Sequence, residues 1–251
     1  MQLTGRLICA TPEERRVVLS HLPLHMRLTM REPGCLFFDI AQDPVDPLVW
    51  TVNEGFATEP DFVAHQTRSA ASAWGQATRR IRRDYALAHP APAIAPETEA
   101  DRRAIHLLTR TAFGRTEEAD LIDALRVGGD LALSLTARLG RAYLGHAGFS
   151  ELKAPFPAWA LAPVSVRKCC RGQGVAAALI REGIAQARAA GIAALFVLGD
   201  PKYYARFGFS ARAARGFDCP WSGPYFQVLP LGEAPLARGP LRYPAPFSAL
   251  H

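Results

Sequence analysis

The alternation of apolar and polar positions in residues 1–88 predicts elements in the order β-α-β-β-α-β. Runs of period two, bounded by turn residues, mark three strands at residues 3–9, 35–40 and 48–56. The apolar side of each run would face a shared core, because successive side chains of a strand point to opposite faces. This region therefore predicts a small sheet that carries helices.

Two helices in the same region are marked by a threonine followed by proline and acidic residues, the residue types that start helices. The first is predicted to run from Thr11 towards Arg31, with a bend at Pro23. The second is predicted to run from Thr58 to Arg83.

The later part of the chain shows a longer mixture of both periods. It predicts two helices, a hairpin, an apolar strand and a long helix, at residues 98–113, 121–125, 131–139 with 142–149, 159–166 and 175–190. Pro163 interrupts the apolar strand, and a proline inside a strand indicates a bulge or a splayed strand end.

A proline-rich segment separates the two patterns. Residues 86–96 carry three prolines and no Asp, Glu, Lys or Arg. Proline removes a backbone donor and disfavours helix in the residue before it, so this segment predicts a semi-rigid linker. We therefore expect two domains, residues 1–88 and 97–251, joined by a linker at 89–96.

The composition is that of an ordinary globular protein. Of the 251 residues, 49% are hydrophobic and 21% are charged, which permits a sizeable core and excludes general disorder. No apolar run approaches the ~20 residues that span a bilayer, and the first residues lack the pattern of a secretion signal. We expect a soluble cytoplasmic protein with no membrane partner.

The formal charge of +6 belongs to the second part of the chain, because residues 1–88 hold 10 basic and 10 acidic residues. Residues 164–215 contain nine Lys or Arg against Glu182 and Asp200. Such an excess predicts an anionic partner, with a solvated basic face as the alternative. No basic run with interleaved aromatic residues is present, so nucleic acid is not the expected partner.

Cysteine and histidine spacing does not predict a metal site. The five cysteines fit neither a disulfide framework nor zinc ligation. His21 and His25 are four residues apart, but Pro23 lies between them and no third ligand stands out. Cys169 and Cys170 lie beside basic residues, an environment that activates thiols, and are interpreted as incidental thiols with a nucleophilic role as the less favoured alternative.

A glycine turn between the apolar strand and the long helix carries the candidate chemistry: Arg171-Gly172-Gln173-Gly174-Val175-Ala176. Two glycines let the backbone approach an anion closely, and the N–H groups of the helix start point at it. Arg171 can add a charge-assisted hydrogen bond. The turn therefore predicts phosphate binding, although any tight strand-to-helix connection can use glycines.

Two other phosphate motifs fail in detail. The dinucleotide fingerprint needs a third glycine where Ala177 stands and an acidic residue about 20 positions further on in a suitable setting. Asp200 lies downstream, but Pro201 follows it directly in a turn. The Walker motif fails as well, because its Lys-Ser/Thr pair is missing.

The glycine turn resembles the acyl-CoA-binding motif of the GNAT family of N-acetyltransferases, Arg/Gln-x-x-Gly-x-Gly/Ala. The segments FVLGDPKYYARFGF at 196–209 and DCPWSGP at 218–224 are similar to a branch of predicted N-acetyltransferases, and the resemblance spans roughly residues 93–247. The sequence departs from the family at Lys168-Cys169-Cys170 and at Ala176, which replaces the second glycine of the motif and is tolerated there.

This resemblance implies that acetyl-CoA is the co-substrate and that a small-molecule amine attacks it directly. Backbone N–H groups of residues 171–176 would hold the CoA pyrophosphate, and the strand with Val164 and Val166 would bind the pantetheine arm and polarise the thioester carbonyl. Tyr204 aligns with the acid that protonates the departing thiolate, with packing on the co-substrate as the alternative. Glu151 is a candidate base, and an ordinary exposed acid is its alternative interpretation.

The phrases EPGCLFF at 32–38, EGF at 54–56 and FVAH at 62–65 resemble the antibiotic-biosynthesis-monooxygenase-like family of ferredoxin-like domains. The resemblance covers most of residues 2–86 and implies a homodimer through paired sheets. Some members oxidise quinol-type substrates or haem. His65, Trp74 and Asn53 are the groups to inspect here, with packing beneath the sheet as the alternative for the first two.

The sequence thus predicts an α+β protein: a ferredoxin-like domain of the dimeric α/β-barrel type, followed by a GNAT domain of mixed α/β structure. The favoured function is N-acetyl transfer. The alternatives are a cofactor-independent monooxygenase in residues 1–88, and a non-catalytic sensor of acyl-CoA. Neither region identifies the acceptor.

Overall fold

The computed structural model describes residues 1–249. The chain divides into two compact units, one of Met1–Ala91 with Leu139–Ala142 and the other of Pro92–Arg138 with the described residues from Tyr143 onwards. Both units combine helices with strands. Within the described residues, no helix is both long enough and apolar enough to cross a bilayer.

The first unit is a four-stranded sheet with helices. Its elements are β1 (Gln2–Ile8), α1 (Pro12–Thr29), β2 (Cys35–Gln42), β3 (Val49–Phe56), α2 (Glu59–Ala71), α3 (Ala73–Thr78) and β4 (Arg82–Ala88). The strands lie in the order β2-β3-β1-β4, and every neighbouring pair is antiparallel. This is the arrangement of a ferredoxin-like fold and confirms the predicted α+β class.

The helix starts of this unit form where threonines cap them. Thr11 Oγ1 accepts a hydrogen bond from Glu14 N at 3.3 Å, and α1 then continues through Pro23. At α2, Thr58 Oγ1 accepts from Asp61 N at 3.2 Å while the Asp61 carboxylate accepts from Thr58 N at 3.1 Å. These bonds satisfy N–H groups that a helix start leaves without internal acceptors.

The second helix does not run to Arg83, as its pattern predicts. Ser72 takes an extended conformation with φ −82° and ψ 166° and ends α2. Its hydroxyl then accepts a hydrogen bond from Gly75 N at 3.3 Å, so the same serine caps α3. The chain leaves the helix after Thr78 and forms β4, which pairs with β1. In the sequence, a serine that ends one helix and caps the next cannot be distinguished from a polar residue within a single long helix.

The second unit is built on a six-stranded sheet. Its strands are β5 (Ala93–Pro96), β6 (Leu131–Leu139), β7 (Ala142–Leu152), β8 (Ala158–Val166), β9 (Ala194–Leu198) and β11 (Phe226–Pro230), in the order β11-β9-β8-β7-β6-β5. Strands β8 and β9 run parallel, whereas β5–β6, β7–β8 and β9–β11 are antiparallel. Two short strands, β10 (Phe217–Asp218) and β12 (Gly239–Pro240), pair separately.

The helices of the second unit are α4 (Arg102–Phe113), α5 (Glu117–Gly128), α6 (Val175–Ala189) and the single turn α7 (Pro201–Tyr204). Helices α4 and α6 pack against β8, and α4 also packs against α5. The predicted hairpin and the predicted apolar strand are confirmed as β6–β7 and β8. The core beside β9 is aromatic: the fully buried ring of Phe196 stacks on Phe226 at 5.6 Å.

The linker predicted at residues 89–96 is a connection only in its first half. Residues Ala93–Pro96 form the edge strand β5, which pairs with β6 from Arg138 to Leu135. An edge strand tolerates proline because one side of its backbone has no hydrogen-bond ladder to complete. The prolines that predicted a linker are therefore compatible with a strand in this position.

The candidate groups of the first unit lie in its packed interior. His65 is 2% exposed and Trp74 is 6% exposed. The ring of His25 stacks on Trp74 at 4.7 Å and lies 5.8 Å from the ring of His65. Asn53 is half-buried and its Oδ1 accepts a hydrogen bond from Gln2 at 2.9 Å. The structure thus supports the packing interpretation of His65 and Trp74.

Two carboxyl groups flank His65 in this interior. Its Nδ1 lies 2.9 Å from Glu32 Oε2, and its Nε2 lies 3.6 Å from Glu54 Oε2. Burial, and then the neighbouring Glu32 carboxylate, raise the pKa of Glu54 to about 8. Burial lowers the pKa of His65, and it lowers the pKa of His25 to about 3. At neutral pH the folded unit therefore holds Glu54 protonated and both imidazoles uncharged.

We expect Glu54 to make the stability of the chain pH-dependent. Relative to Glu54→Gln, the native chain should lose free energy of unfolding as the pH rises from about 4.5 to about 8, by up to about 1.4 kcal/mol per pH unit, because only the unfolded state ionises Glu54 in that window. Comparison with the variant cancels the opposite contribution of the two histidines, whose lowered pKa values favour folding increasingly as the pH rises towards 6.5.

Calorimetric unfolding of the full chain across this pH range measures the effect. Glu59→Gln is the matched control, because it neutralises an exposed carboxyl of the same unit and should leave the slope as it is in the native chain. If Glu54→Gln and the native chain show parallel pH profiles, Glu54 is not protonated in the folded state.

Candidate functional site

The site begins where β8 parts from β9. The two strands pair in parallel from Ala158 to Ala160, after which β8 continues to Val166 without β9 beside it. The register between β8 and β7 also shifts beside Pro163, which has no N–H to donate. The splayed strand end that Pro163 predicts is thereby confirmed. On the side towards β9, the last part of β8 has no strand partner among the residues that the structure describes.

The turn predicted to bind phosphate connects β8 to α6. Gly172 and Gly174 have φ of +79° and +82°, the left-handed region that favours glycine, and a Cβ added at either would meet no atom within 4 Å. The first internal hydrogen bond of α6 runs from Ala178 N to Gly174 O at 2.9 Å. The N–H groups before Ala178 point out of the helix start, where the helix dipole is positive. The turn is therefore open and electropositive.

The turn and the splayed strand enclose a cleft of about 480 Å³, which we call the glycine cleft. It brings together eight of the nine residues predicted for the site: Val164, Val166, Arg171, Gly172, Gly174, Val175, Ala176 and Tyr204. The end of α4 and the turn after β9 supply further wall residues, among them Phe113, Tyr203 and Arg206. Residues far apart in sequence thus meet around one opening.

Two of the predicted residues use their side chains in ways that the sequence does not indicate. Gln173 does not line the cleft, and its Nε2 donates a hydrogen bond to Cys169 O at 2.7 Å. Arg171 lines the cleft, but its Nη2 donates to Ala112 O at 2.6 Å, near the end of α4. The Arg171 side chain therefore anchors the glycine turn to α4, a contact that its charge alone does not predict.

Tyr204 ends α7, which Asp200 caps by accepting a hydrogen bond from Lys202 N at 3.0 Å. The tyrosine ring packs edge-on against Phe209 at 5.7 Å and lies over Gly199, where an added Cβ would be 2.4 Å from the ring. Only glycine at position 199 permits this approach. Burial raises the pKa of Tyr204 to about 12, so the phenol keeps its proton at neutral pH and can donate it.

A second cavity, of about 450 Å³, adjoins the first; we call it the aromatic cavity. It shares Phe113, Val164 and Tyr204 with the glycine cleft. Its other walls include Arg115, Glu118 and a group of three aromatic residues from the last part of the chain: Trp221, Tyr243 and Phe247. Sequence analysis assigned no role to these aromatic residues, because they lie in segments without helix or strand periodicity. The one signal was the family similarity at 218–224.

The remaining candidates lie apart from this arrangement or beneath it. Glu151 is exposed on β7 and lines neither cavity, so the structure gives no support to its role as a base. Cys170 is buried and lines the glycine cleft, with its sulfur 3.9 Å from that of Cys169. In the part of the chain that the structure describes, no group of three or more His, Cys, Asp or Glu is arranged to hold a metal.

Both units match known protein families. Residues 97–209 match the model of the acetyltransferase (GNAT) family. Residues 6–77 match the model named antibiotic biosynthesis monooxygenase. The glycine turn and Tyr204 lie within the first match, whereas Trp221, Tyr243 and Phe247 lie beyond its end. The matches confirm both resemblances that the sequence motifs indicate.

Individual relatives are similar to the chain over nearly their whole length. The uncharacterized N-acetyltransferase YhbS of Escherichia coli K12 is 36% identical over 146 residues, 56% of this chain and 87% of YhbS. The crystal structure of E. coli YhbS in complex with CoA aligns with a TM-score of 0.62 at 32% identity, covering 66% of this chain and 98% of that one. A GNAT family acetyltransferase from Brucella melitensis in complex with acetyl-CoA gives 0.56 at 35% identity, covering 63% and 99%.

We expect Gly174→Val to prevent binding of CoA to the full chain. The new side chain would stand in the open space before α6 and would strain a residue at φ +82°. Gly191→Val is the matched control, because Gly191 lies beyond the other end of α6 with φ +72° and equally open surroundings.

Isothermal titration with CoA distinguishes the two variants. The Kd of Gly174→Val should rise by roughly 100-fold or more, whereas that of Gly191→Val should stay within about threefold of the native value. Equal weakening in both variants would mean that backbone strain, and not the loss of the anion site, controls binding.

Proposed function

The chain belongs to the GNAT family of N-acetyltransferases, and we propose that it transfers the acetyl group of acetyl-CoA to a small-molecule amine. The observation that carries the proposal is the meeting of three groups around one cleft: an anion-binding helix start, an unpaired strand edge and a protonated phenol. The two solved relatives hold CoA and acetyl-CoA. Those ligands carry the phosphates for which the glycine turn leaves room.

In this proposal the main chain of the glycine turn holds the pyrophosphate. Gly172 and Gly174 present no side chain, and the N–H groups of Val175 and Ala176 donate from the positive end of α6. Arg206 adds positive charge at the opposite wall, where its guanidinium lies 4.0 Å over the ring of Tyr203. Anion binding thus depends on backbone geometry more than on any one basic side chain.

The free edge of β8 holds the rest of the co-substrate. An extended, amide-containing arm can pair with the main chain near Val164 and Val166 as an added strand would. A main-chain N–H aimed at the thioester oxygen stabilises the negative charge that develops there during attack. The arm then leads from the glycine turn towards Tyr204, which lines the same cleft.

The transfer is a direct attack of the neutral amine on the thioester carbonyl carbon. A C–N bond forms, the C–S bond breaks, and the bonding electrons of the C–S bond leave on sulfur. Tyr204 donates its proton to that sulfur and regains one from the protons that the amine nitrogen loses. An alkylammonium ion and acetyl-CoA thereby give an N-alkylacetamide, CoA thiol and one proton released to solvent.

Burial acts on both partners of the proton transfer. It raises the pKa of Tyr204 to about 12, above the roughly 8.5 of an ordinary thiol in water. A thiolate formed in the same buried setting is also poorly solvated, which raises the pKa of its thiol in the same direction. Tyr204 therefore stabilises the departing sulfur as a hydrogen-bond donor and transfers its proton as the C–S bond breaks.

We expect Tyr204→Phe to lower kcat by roughly 10²- to 10⁴-fold while CoA affinity barely changes, since the ring packing is kept and only the donor is lost. Steady-state kinetics with an accepted amine and titration with CoA measure the two quantities separately. Tyr203→Phe is the comparison, because it removes the neighbouring phenol of the same helical turn.

The pair of variants also tests the alternatives. If kcat survives Tyr204→Phe within about threefold, the acid assignment is wrong. If Tyr203→Phe causes the larger loss, the acid is the neighbouring tyrosine. A sensor without catalysis would bind CoA in the native chain and in both variants, and would acetylate no amine in any of them.

For the first unit we propose a homodimer, and not the oxygenase activity that its family resemblance allows. Of the three groups inspected for such chemistry, His65 and Trp74 are packed in the interior, and Asn53 is half-buried with its Oδ1 bonded to Gln2.

Helices α1 and α2 pack against the sheet, and strand alternation turns the exposed side chains of Thr4, Arg6 and Thr51 towards one face. The Leu139–Ala142 segment of the unit lies against Phe37 on this face, and the rest of the face is open in the part of the chain that the structure describes. A second copy of the sheet is the partner that the family arrangement implies for that face.

Light scattering on the full chain should give a mass of twice 27.3 kDa at micromolar concentration. Thr51 pairs with Arg6 across β1 and β3, so Thr51→Arg would place a second positive charge on this face and shift the mass towards the monomer. A native chain that scatters as a monomer would contradict the proposal.

A further inference from the structure

The aromatic cavity opens onto the reacting end of the glycine cleft. The two cavities share Phe113, Val164 and Tyr204, so the proposed acid and the end of β8 form a boundary common to both. A molecule in the aromatic cavity can therefore reach a thioester held along β8. The cavity therefore lies where the acceptor of the acetyl group would bind, and its lining residues determine which acceptors fit.

One wall of the cavity is a cluster of three aromatic rings. The ring of Trp221 lies 4.7 Å from Tyr243 and 6.1 Å from Phe247, and the last two are 5.0 Å apart. The rings pack in edge-to-face or tilted orientations, which fixes them as a rigid surface. A flat apolar group of the acceptor would bury its area against this wall at little entropic cost.

The charged part of the lining is a single ion pair. Glu118, in the first turn of α5, is 8% exposed, and its two oxygens accept hydrogen bonds from Arg115 Nε at 3.0 and 3.1 Å. Arg115 is 49% exposed, so most of its charge is met by Glu118 and by solvent. Glu118 is the one carboxylate among the described residues that line this cavity. It can accept one further hydrogen bond from an ammonium.

This lining discriminates between classes of amine. A diamine or polyamine would place a second cation among apolar walls without a carboxylate to meet it, which carries a large desolvation cost. An amino acid would bring a second carboxylate next to that of Glu118, which repels it, and Arg115, the one basic residue among the described lining residues, already shares its charge with Glu118. A monoamine attached to an aromatic group brings only one charge, its ammonium, which the Glu118 carboxylate can meet.

We infer that the aromatic cavity is the acceptor site and that it takes a primary amine carried by an aromatic group, with no carboxylate and no second cation. This inference rests on the proposed acetyl transfer. The aromatic group packs on Trp221, Tyr243 and Phe247, and Glu118 holds the ammonium before it loses its proton. The amine nitrogen then lies on the Tyr204 side of the cavity.

Steady-state kinetics with three probes tests the class of acceptor. Phenethylamine is the probe with the inferred features. Phenylalanine adds a carboxylate to it, and putrescine has a second ammonium in place of the aromatic ring. With acetyl-CoA saturating, kcat/KM for phenethylamine should exceed that for each of the other two by roughly tenfold or more. A higher kcat/KM for phenylalanine or putrescine would overturn the inference while leaving acetyl transfer itself established.

Variants of the lining residues test the two inferred contacts, which are packing of the aromatic group on Trp221 and binding of the ammonium by Glu118. Trp221→Ala should lower kcat/KM for phenethylamine by roughly tenfold or more and leave that for methylamine within about threefold, because methylamine has no body to pack. Glu118→Gln should raise KM for both amines, because it removes the charge that holds their common ammonium. Tyr225→Ala removes an exposed aromatic side chain outside the cavity and should change neither amine. Equal effects of Trp221→Ala on the two amines would contradict the assigned wall.

A binding measurement keeps the inference separate from the proposed function. N-acetylphenethylamine, the product of the predicted transfer, should bind the CoA-loaded full chain in a calorimetric titration, and Trp221→Ala should weaken it by roughly tenfold. If this binding occurs and no amine is acetylated, the proposed transfer fails and the assigned cavity stands. If the native chain does not bind the product while CoA binds, the assigned cavity is wrong.

Discussion

The parting of β8 from β9 after Ala160 is the constraint on which the second unit depends. A parallel pair that continued to Val166 would close the sheet and leave no opening. Because the pairing stops, main-chain groups of β8 become available on that side, and residues of this part of β8 line both cavities. Where the two strands remain paired, buried aromatic residues such as Phe196 pack beneath them. The gap therefore leaves the hydrophobic core of the unit intact.

Around this gap, the proposed function uses the backbone for anion binding and a side chain for proton transfer. In the proposed binding mode, anion binding depends on the helix direction and on the φ values of +79° and +82° at Gly172 and Gly174, where a side chain would occupy the open space in front of the turn. In the proposed mechanism proton transfer depends instead on one side chain, Tyr204, whose pKa burial raises to about 12. The same effect of burial holds Glu54 protonated in the first unit, where it serves stability and no reaction is assigned to it. A shifted pKa alone therefore does not identify an active site.

Local signals in the sequence predicted most of the fold and about half of the site. Caps at Thr11 and Thr58, and the glycine turn, each act within a few residues, so the pattern reveals them. The edge strand β5 escaped, because it depends on which neighbour the backbone meets in three dimensions. The anchoring of Arg171 and the ring cluster at Trp221 escaped for the same reason, since their partners lie far away along the chain. The cap at Ser72 is as local as those at Thr11 and Thr58, but no proline or acidic residue follows it to mark a helix start.

The central claim is that Tyr204 stands where the CoA sulfur leaves, between the glycine cleft and the aromatic cavity. A crystal structure of the full chain grown with CoA tests it most directly. The account predicts phosphate oxygens within hydrogen-bond distance of the N–H groups of Val175 and Ala176, and the CoA sulfur about 3 to 4 Å from the Tyr204 hydroxyl. CoA bound with its sulfur directed away from Tyr204, or held outside the glycine cleft, would contradict it.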